Sequence, residues 1–232
     1  MAISRRDLIK AGAVSASTMI AGNASALQEN KQADHVKSTP GPAFMPPDRM
    51  PEIPPDKMTE AQKKAAAEFL AGRHTPVFGP FIPLLRSPEV MLRAMAMGDY
   101  LRFRTVLPPA INEFVILITS RHWTQQYEWA VHYPIAVKAG LRPEIAKAVN
   151  EGRRPQGMSP EEEIVYDFCS ELHSNQSVCE ATYARALAKY GEQGIIDMVG
   201  VNGYYTFLAM VLNVARTALP KGSSPELPGF PQ

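Results

Sequence analysis

P-P-A-I-N-E-F-V-I-L-I-T-S-R-H-W (residues 108–123) and, directly after it, T-Q-Q-Y-E-W-A-V-H-Y-P-I-A-V-K-A-G (residues 124–140) decide the fold. Pro108-Pro109 ends one helix and suits the first turn of the next, where a missing N–H costs nothing. That next helix is expected to run to about Trp123, and a second to Gly140, which suits a left-handed C-terminal cap. Glu113 stands in an apolar run, with Ile116 and Leu117 three and four residues on. Glu128 and His132 are four apart, so carboxylate and imidazole share one helix face within side-chain reach. A carboxyl in low-polarity surroundings is held partly protonated near neutral pH. Two such carboxyls with a histidine make a proton-transfer site, so Glu113, Glu128 and His132 are the candidate catalytic residues. Each also has a plainer reading. Glu113 lies soon after a helix start, where an acid favours the dipole. Glu128 and His132 form a spacing that, on a surface, is worth only tenths of a kcal/mol.

Outward from this block the signals are almost wholly helical. Thr59 can cap a helix running to Gly72, and Ser87-Pro88-Glu89 combines a cap, a first-turn proline and an early acid. In that second helix Val90, Ala94, Met97 and Leu101 recur at helical spacing. Shorter signals place helices over Pro143–Glu151 and from Ser159-Pro160-Glu161-Glu162 to about His173. Ser177 with Glu180 reads as a capping box for a helix ending at Gly191. Period-two alternation is not sustained anywhere, so strands are expected to be absent or minor. The class is therefore all-α, a bundle of about seven or eight helices.

Gly194–Ala215 is long and apolar enough to span a bilayer. Asp197, Asn202 and Asn213 would be costly in lipid, so the segment reads as a buried or interface helix and no stable membrane span is expected. Gly200 and Gly203 would let neighbouring helices approach closely, and Tyr204-Tyr205 are expected to pack at an interface.

The ends read differently. Ser4–Lys10 carries paired Arg5 and Arg6; a weakly apolar stretch follows, and Ala24-Ser25-Ala26 offers a small-residue cleavage site. Residues 1–26 thus look like a twin-arginine export signal, which implies a periplasmic or secreted protein and the twin-arginine translocase as a transient partner. Residues 27–57 are proline-rich and expected to form an extended arm on the body or reaching a neighbouring subunit. The helical domain is expected over 58–219 and a proline-rich tail over 220–232. Without the signal the chain holds 21 basic and 22 acidic residues, and no block of like charge, so a nucleic-acid surface is not expected. Cys169 falls among Val165, Phe168 and Leu172 and reads as core. With Cys179 it makes no C-x-x-C motif, and a bridge between the two is open. Cys169 and His173 are too few ligands for a zinc site, so no metal is expected.

G-P-F-I-P-L-L-R-S-P-E-V (79–90), the 107–123 block and Q-Y-E-W-A-V-H-Y-P-I-A-V-K-A-G-L (126–141) together resemble the carboxymuconolactone decarboxylase family. The resemblance covers about residues 78–215. It implies an alkyl hydroperoxidase D-like helical fold, assembly as a homotrimer or homohexamer, and one of two chemistries. The first is a lyase without cofactor acting on a small carboxylated lactone or aromatic-derived acid. His132 would hydrogen-bond a developing oxyanion, Glu113 or Glu128 would deliver a proton, and the other carboxylate would orient the imidazole. Arg121, His122, Trp123, Tyr127 and Trp129 would line the pocket, with Arg121 or Arg104 holding a substrate carboxylate. The second is a disulfide-based peroxidase. Its two cysteines would align with Gln125 and Glu128, neither of which can form a thiolate. A third reading, a non-catalytic oligomeric small-molecule-binding protein, keeps the pocket without turnover.

Overall fold

The computed structural model describes residues 47–229; the expected export signal, most of the N-terminal arm and the end of the tail lie outside the described residues. Eight α-helices occur among the described residues: α1 (Glu60–Arg73), α2 (Phe81–Leu84), α3 (Pro88–Phe103), α4 (Pro109–His122), α5 (Gln126–Lys138), α6 (Pro143–Asn150), α7 (Pro160–Asn175) and α8 (Glu180–Ala215). No strand occurs among the described residues.

The helix starts follow local chemistry. Thr59 and Ser159 each form a full capping box, with Gln62 and Glu162 reaching back to the cap residue's own N–H. Ser87 occupies the cap position of α3 without a side-chain bond, and Pro88 sets the first turn alone. The Ser177 expectation is corrected. Helix α8 starts at Glu180 with Cys179 at the cap, and the Cys179 N–H donates to Glu171 Oε2 at 2.7 Å. A carboxylate from the preceding helix thus supplies the acceptor that a local serine was expected to provide. Gly140 takes a positive φ of 110°, and the Leu141 N–H reaches back to the Ala136 carbonyl, closing α5.

Helix α4 is the centre. Every residue from Ile111 to Arg121 is buried, and α5, α6, α7 and α8 pack around it. A helix apolar on all sides needs neighbours on all sides. Its fully buried Phe114, Ile116 and Leu117 each contribute about 1.5–3 kcal/mol on area grounds.

Within α8 the two expected helices meet at Gly191, whose non-helical backbone (φ 66°, ψ 179°) ends the first where expected and turns the chain into the second without a loop. The second differs from the sequence reading in one way, since it is not buried all round: Ile196, Val199, Met210 and Val214 are exposed. The helix is long and apolar enough to cross a bilayer by length and composition, with 56% of its most apolar window buried in the fold. Its polar residues are satisfied internally. Asp197 accepts from the Tyr100 hydroxyl (3.0 Å) and the Val106 N–H (2.9 Å). Asn202 accepts from Thr119 Oγ1 (3.1 Å) and donates to the Met198 carbonyl (2.8 Å).

The flanking segments lie on these helices. The Arg49 N–H donates to the Ala215 carbonyl (2.7 Å), and Arg86 Nη2 to the Pro51 carbonyl (2.8 Å). At the other end the Gln126 amide pairs with the backbone of Glu226 and Leu227.

Candidate functional site

Glu113 projects from the second turn of α4, and Glu128 and His132 from successive turns of α5. Helices α4 and α5 pack closely, and the three side chains meet between them. His132 Nδ1 is 2.7 Å from Glu113 Oε2, and His132 Nε2 is 3.5 Å from Glu128 Oε2. All three are buried, at 8% (Glu113), 3% (Glu128) and 3% (His132) exposure. Neither plainer reading survives this geometry. Glu113 is committed to an imidazole rather than to its helix's first turn, and the Glu128–His132 pair is interior.

The first turn of α5 is held open for Glu128 by Gln125. Its side-chain oxygen accepts from the Tyr127 N–H (2.6 Å) and more weakly from the Glu128 N–H (3.4 Å), while its amide donates to Asn213 Oδ1 (2.7 Å). Glu128 is therefore free of capping duty and turns to His132. Burial pushes the Glu128 carboxyl above the ordinary carboxylate range, opposed by the charges of His132 and Arg102 and reinforced by Glu113. The helix start also opposes the shift, but by only about 0.3–1 kcal/mol. Desolvating an ion costs several kcal/mol, so desolvation wins.

Burial favours the protonated form of Glu128, whose proton can move to the adjacent His132 Nε2 with no change in the triad's net charge; giving that proton to a bound molecule leaves the triad one unit more negative until solvent returns it.

Tyr205 of α8 closes over this centre, its ring edge-on to His132 at 5.0 Å. Burial holds its phenol well above the ordinary range, so it stays neutral. Tyr204 packs edge-on to Tyr205 at 5.4 Å. On the far side of Tyr204 lies an apolar cavity of about 420 Å³ between α3 and α8, lined by Val90, Ala94, Met97, Gly203 and Phe207. The two tyrosines, expected at an interface, are buried between that cavity and the triad.

The five residues expected to line the pocket make their contacts elsewhere. Arg121 donates to the Pro228 carbonyl (3.0 Å) and, with His122, borders a separate cavity of about 220 Å³ near His173. His122 stacks on His173 at 4.4 Å. Trp123 Nε1 donates to Thr206 Oγ1 (3.2 Å), and Trp129 Nε1 to Glu226 Oε2 (3.3 Å). The Tyr127 phenol lies against Gly79, where a Cβ would sit 2.7 Å from its oxygen. Arg104 lies over the Tyr100 ring at 5.7 Å. The cation whose charge reaches Glu128, Tyr204 and Tyr205 is Arg102, which sequence reasoning missed. Its only signal was position: it follows Gly98 by one turn on α3.

The cysteines are both free thiols, Cys169 buried and Cys179 exposed. Burial pushes the Cys169 thiol up to about 12, making it a poor nucleophile near neutrality. Among the described residues no group of three or more His, Cys, Asp or Glu side chains is arranged to hold a metal ion.

These helices adopt the fold of alkylhydroperoxidase AhpD-like proteins. The chain is similar to an uncharacterised peroxidase-related protein from Ralstonia eutropha whose crystal structure is described as an AhpD core, with a TM-score of 0.60, 16% identity, and coverage of 76% of this chain and 94% of that one. It is also similar to a protein of unknown function from Agrobacterium tumefaciens, a putative antioxidant defence protein AhpD, with a TM-score of 0.49, 14% identity, and coverage of 58% and 93%. Likeness at this identity establishes the fold alone. No protein-family model and no curated protein matches the chain.

Proposed function

We propose that this protein is an acid–base enzyme, a lyase similar in chemistry to carboxymuconolactone decarboxylase that needs no cofactor and acts on a small carboxylated lactone or aromatic-derived acid. The observation that carries the reading is the buried chain Glu113–His132–Glu128, with the Glu128 carboxyl raised by burial. In the reaction the carboxylate carbon–carbon bond breaks, carbon dioxide leaves, and the electron pair is delocalised onto an oxygen of the ring. Glu128 passes its proton to His132 Nε2, the Nε2–H hydrogen-bonds that oxygen and then protonates carbon, and Glu113 holds the imidazole at Nδ1. Glu128 is then reprotonated from solvent. The raised carboxyl favours Glu128 as the acid and leaves Glu113 as the orienting base.

The peroxidase reading lacks its cysteine pair, since Gln125 serves as a helix cap and Glu128 as part of the triad, while Cys169 is sealed in the core and the exposed Cys179 stands apart from it at the start of α8. The test is release of carbon dioxide from a panel of lactones and carboxylated aromatics. Glu113→Gln, Glu128→Gln and His132→Ala are each expected to cut turnover by about 10²–10⁴-fold. A Cys169, Cys179 double serine variant is expected to keep it. Wild-type protein that binds such compounds but turns none over would mark a binding protein instead.

Assembly as a homotrimer or homohexamer and twin-arginine export to the periplasm or beyond complete the proposal. The exposed apolar side chains of α3 and α8, among them Val90, Met97, Ile196 and Val199, support the first. The Arg5-Arg6 start supports the second. Replacing both with lysine is expected to keep the protein in the cytoplasm.

A further inference from the structure

We infer that the C-terminal end of α4 carries a second binding site, a cleft beside His173 that takes a phosphate group, free or borne by a small organic molecule. It stands independently of the acid–base reading.

The cleft, of about 220 Å³, lies where the ends of α4 and α7 meet the turn after α6. Arg121 and His122 end α4, Arg153 stands in the turn, and Ser170, His173 and Ser174 lie on the last turns of α7. No carboxylate lines it, and apart from the Tyr166 phenol every ionisable group there is a cation or can become one. A cleft lined by one sign of charge concentrates ligands of the other.

These groups are held in place by contacts of their own. Arg121 is only 5% exposed, and its Nη1 donates to the Pro228 carbonyl (3.0 Å) and to Thr124 Oγ1 (3.4 Å). It is a fixed charge with little water around it, so its field acts strongly at short range. Gly152 lets the turn close on this guanidinium: its φ is 73°, and a Cβ there would stand 3.1 Å from Arg121 Nη2. The next residue, Arg153, uses Nε on Glu151 Oε2 (2.5 Å) and keeps both terminal nitrogens open among the described residues. Glu151 is shared with Lys147 (4.0 Å). His122 stacks on His173, the rings 4.4 Å apart and 15° from parallel, and His173 Nε2 is tied to Thr119 Oγ1 (3.2 Å).

Donors from three elements suit the three or more oxygens of a phosphate, whereas a carboxylate offers two in one plane. Ile118 and Tyr166 add apolar surface for an organic substituent. The two helix ends oppose an anion, because their last carbonyls carry partial negative charge. Each costs about two- to fivefold in affinity, against about 10- to 100-fold gained per hydrogen bond from a charged donor, so the donors win. The bound anion also favours the imidazolium forms. Facing the two rings are Arg121 from α4, Arg153 from the turn, Tyr166 and Ser170 from α7 and, through Thr119, the neutral Asn202 of α8.

Titrating inorganic phosphate, phenyl phosphate and benzoate into the whole chain tests this, by calorimetry and by NMR of the imidazole C–H resonances of its five histidines. Saturable binding of a phosphate in the micromolar to millimolar range is expected, with His122 and His173 shifting and His132 still. Tighter phenyl phosphate would mark an organic phosphate as the ligand, and tighter inorganic phosphate the free ion. Arg153→Gln and His122→Gln, both at exposed positions, are each expected to weaken binding about 10-fold. Arg93→Gln, in the cavity between α3 and α8, should bind as the wild type does. Four results overturn the inference: no saturation by either phosphate below about 20 mM, benzoate bound as tightly as phenyl phosphate, shifts at His132 in place of His122 and His173, or unchanged affinity in the Arg153, His122 double glutamine variant.

Discussion

Glu128 shows how one residue changes meaning with its surroundings. At the start of α5 it has the position of a capping-box acid, yet Gln125 takes the capping role and Glu128 turns inward to His132. The consequence is a stability signature. A carboxyl whose folded pKa lies above its unfolded value of about 4.5 binds its proton more tightly in the folded state. Below that value both states are protonated and nothing is lost. As pH rises through the folded value, the ionised carboxylate must be buried and stability falls. Glu128→Gln, which keeps the shape without the charge, is therefore expected to raise Tm at pH 7 and to have little effect at pH 4. A Tm difference that is constant with pH would refute this placement.

At the scale of elements, the pairing of α4 with α7 rests on an imidazole pair as well as apolar packing. His173 accepts or donates to Thr119 Oγ1 at 3.2 Å and stacks on His122. Burial, with the neighbouring His122 charge, lowers His173 to about 4. A depressed imidazole binds its proton more weakly in the folded state, so stability is full above about 6.5 and falls as pH drops toward 4. His173→Gln is expected to flatten the Tm–pH curve in that window, measured by thermal melts. The contact of α3 with α8 depends instead on Gly98. Gly98→Ala is expected to cost about 1–3 kcal/mol in chemical denaturation by forcing the buried Tyr204 ring aside. An unchanged midpoint would show that the ring moves freely.

For the whole molecule, the packing of α5, α6, α7 and α8 around α4 leaves an apolar face that the described residues do not cover. Ile196 is 69% exposed and Val214 58%, on the same helix whose other side carries Tyr205 to the site. Light scattering is expected to find trimers or hexamers, and Ile196→Glu to shift them toward smaller species. A wild-type protein that is monomeric at micromolar concentration would remove the assembly proposal.

Much was legible from the chain alone because it was local. Threonine, serine and proline punctuation set the starts of α1, α3, α4, α6 and α7, and the apolar run after Pro109 marked a core helix. Helical spacing paired Glu128 with His132. What failed, failed where a partner came from another element. Glu171 caps α8 from the preceding helix. Arg121, His122 and Trp123 follow Glu113 around their helix to other faces and other neighbours.

The sequence by itself determined the helical class, the helix starts and the three ionisable residues of the centre, because periodicity and capping act over a few residues. Only the tertiary structure decided that Glu113 reaches His132, that burial raises Glu128, and that Arg102 is the nearby cation. Those facts depend on which helices exclude water together, and desolvation is a property of the packed assembly that no single helix carries.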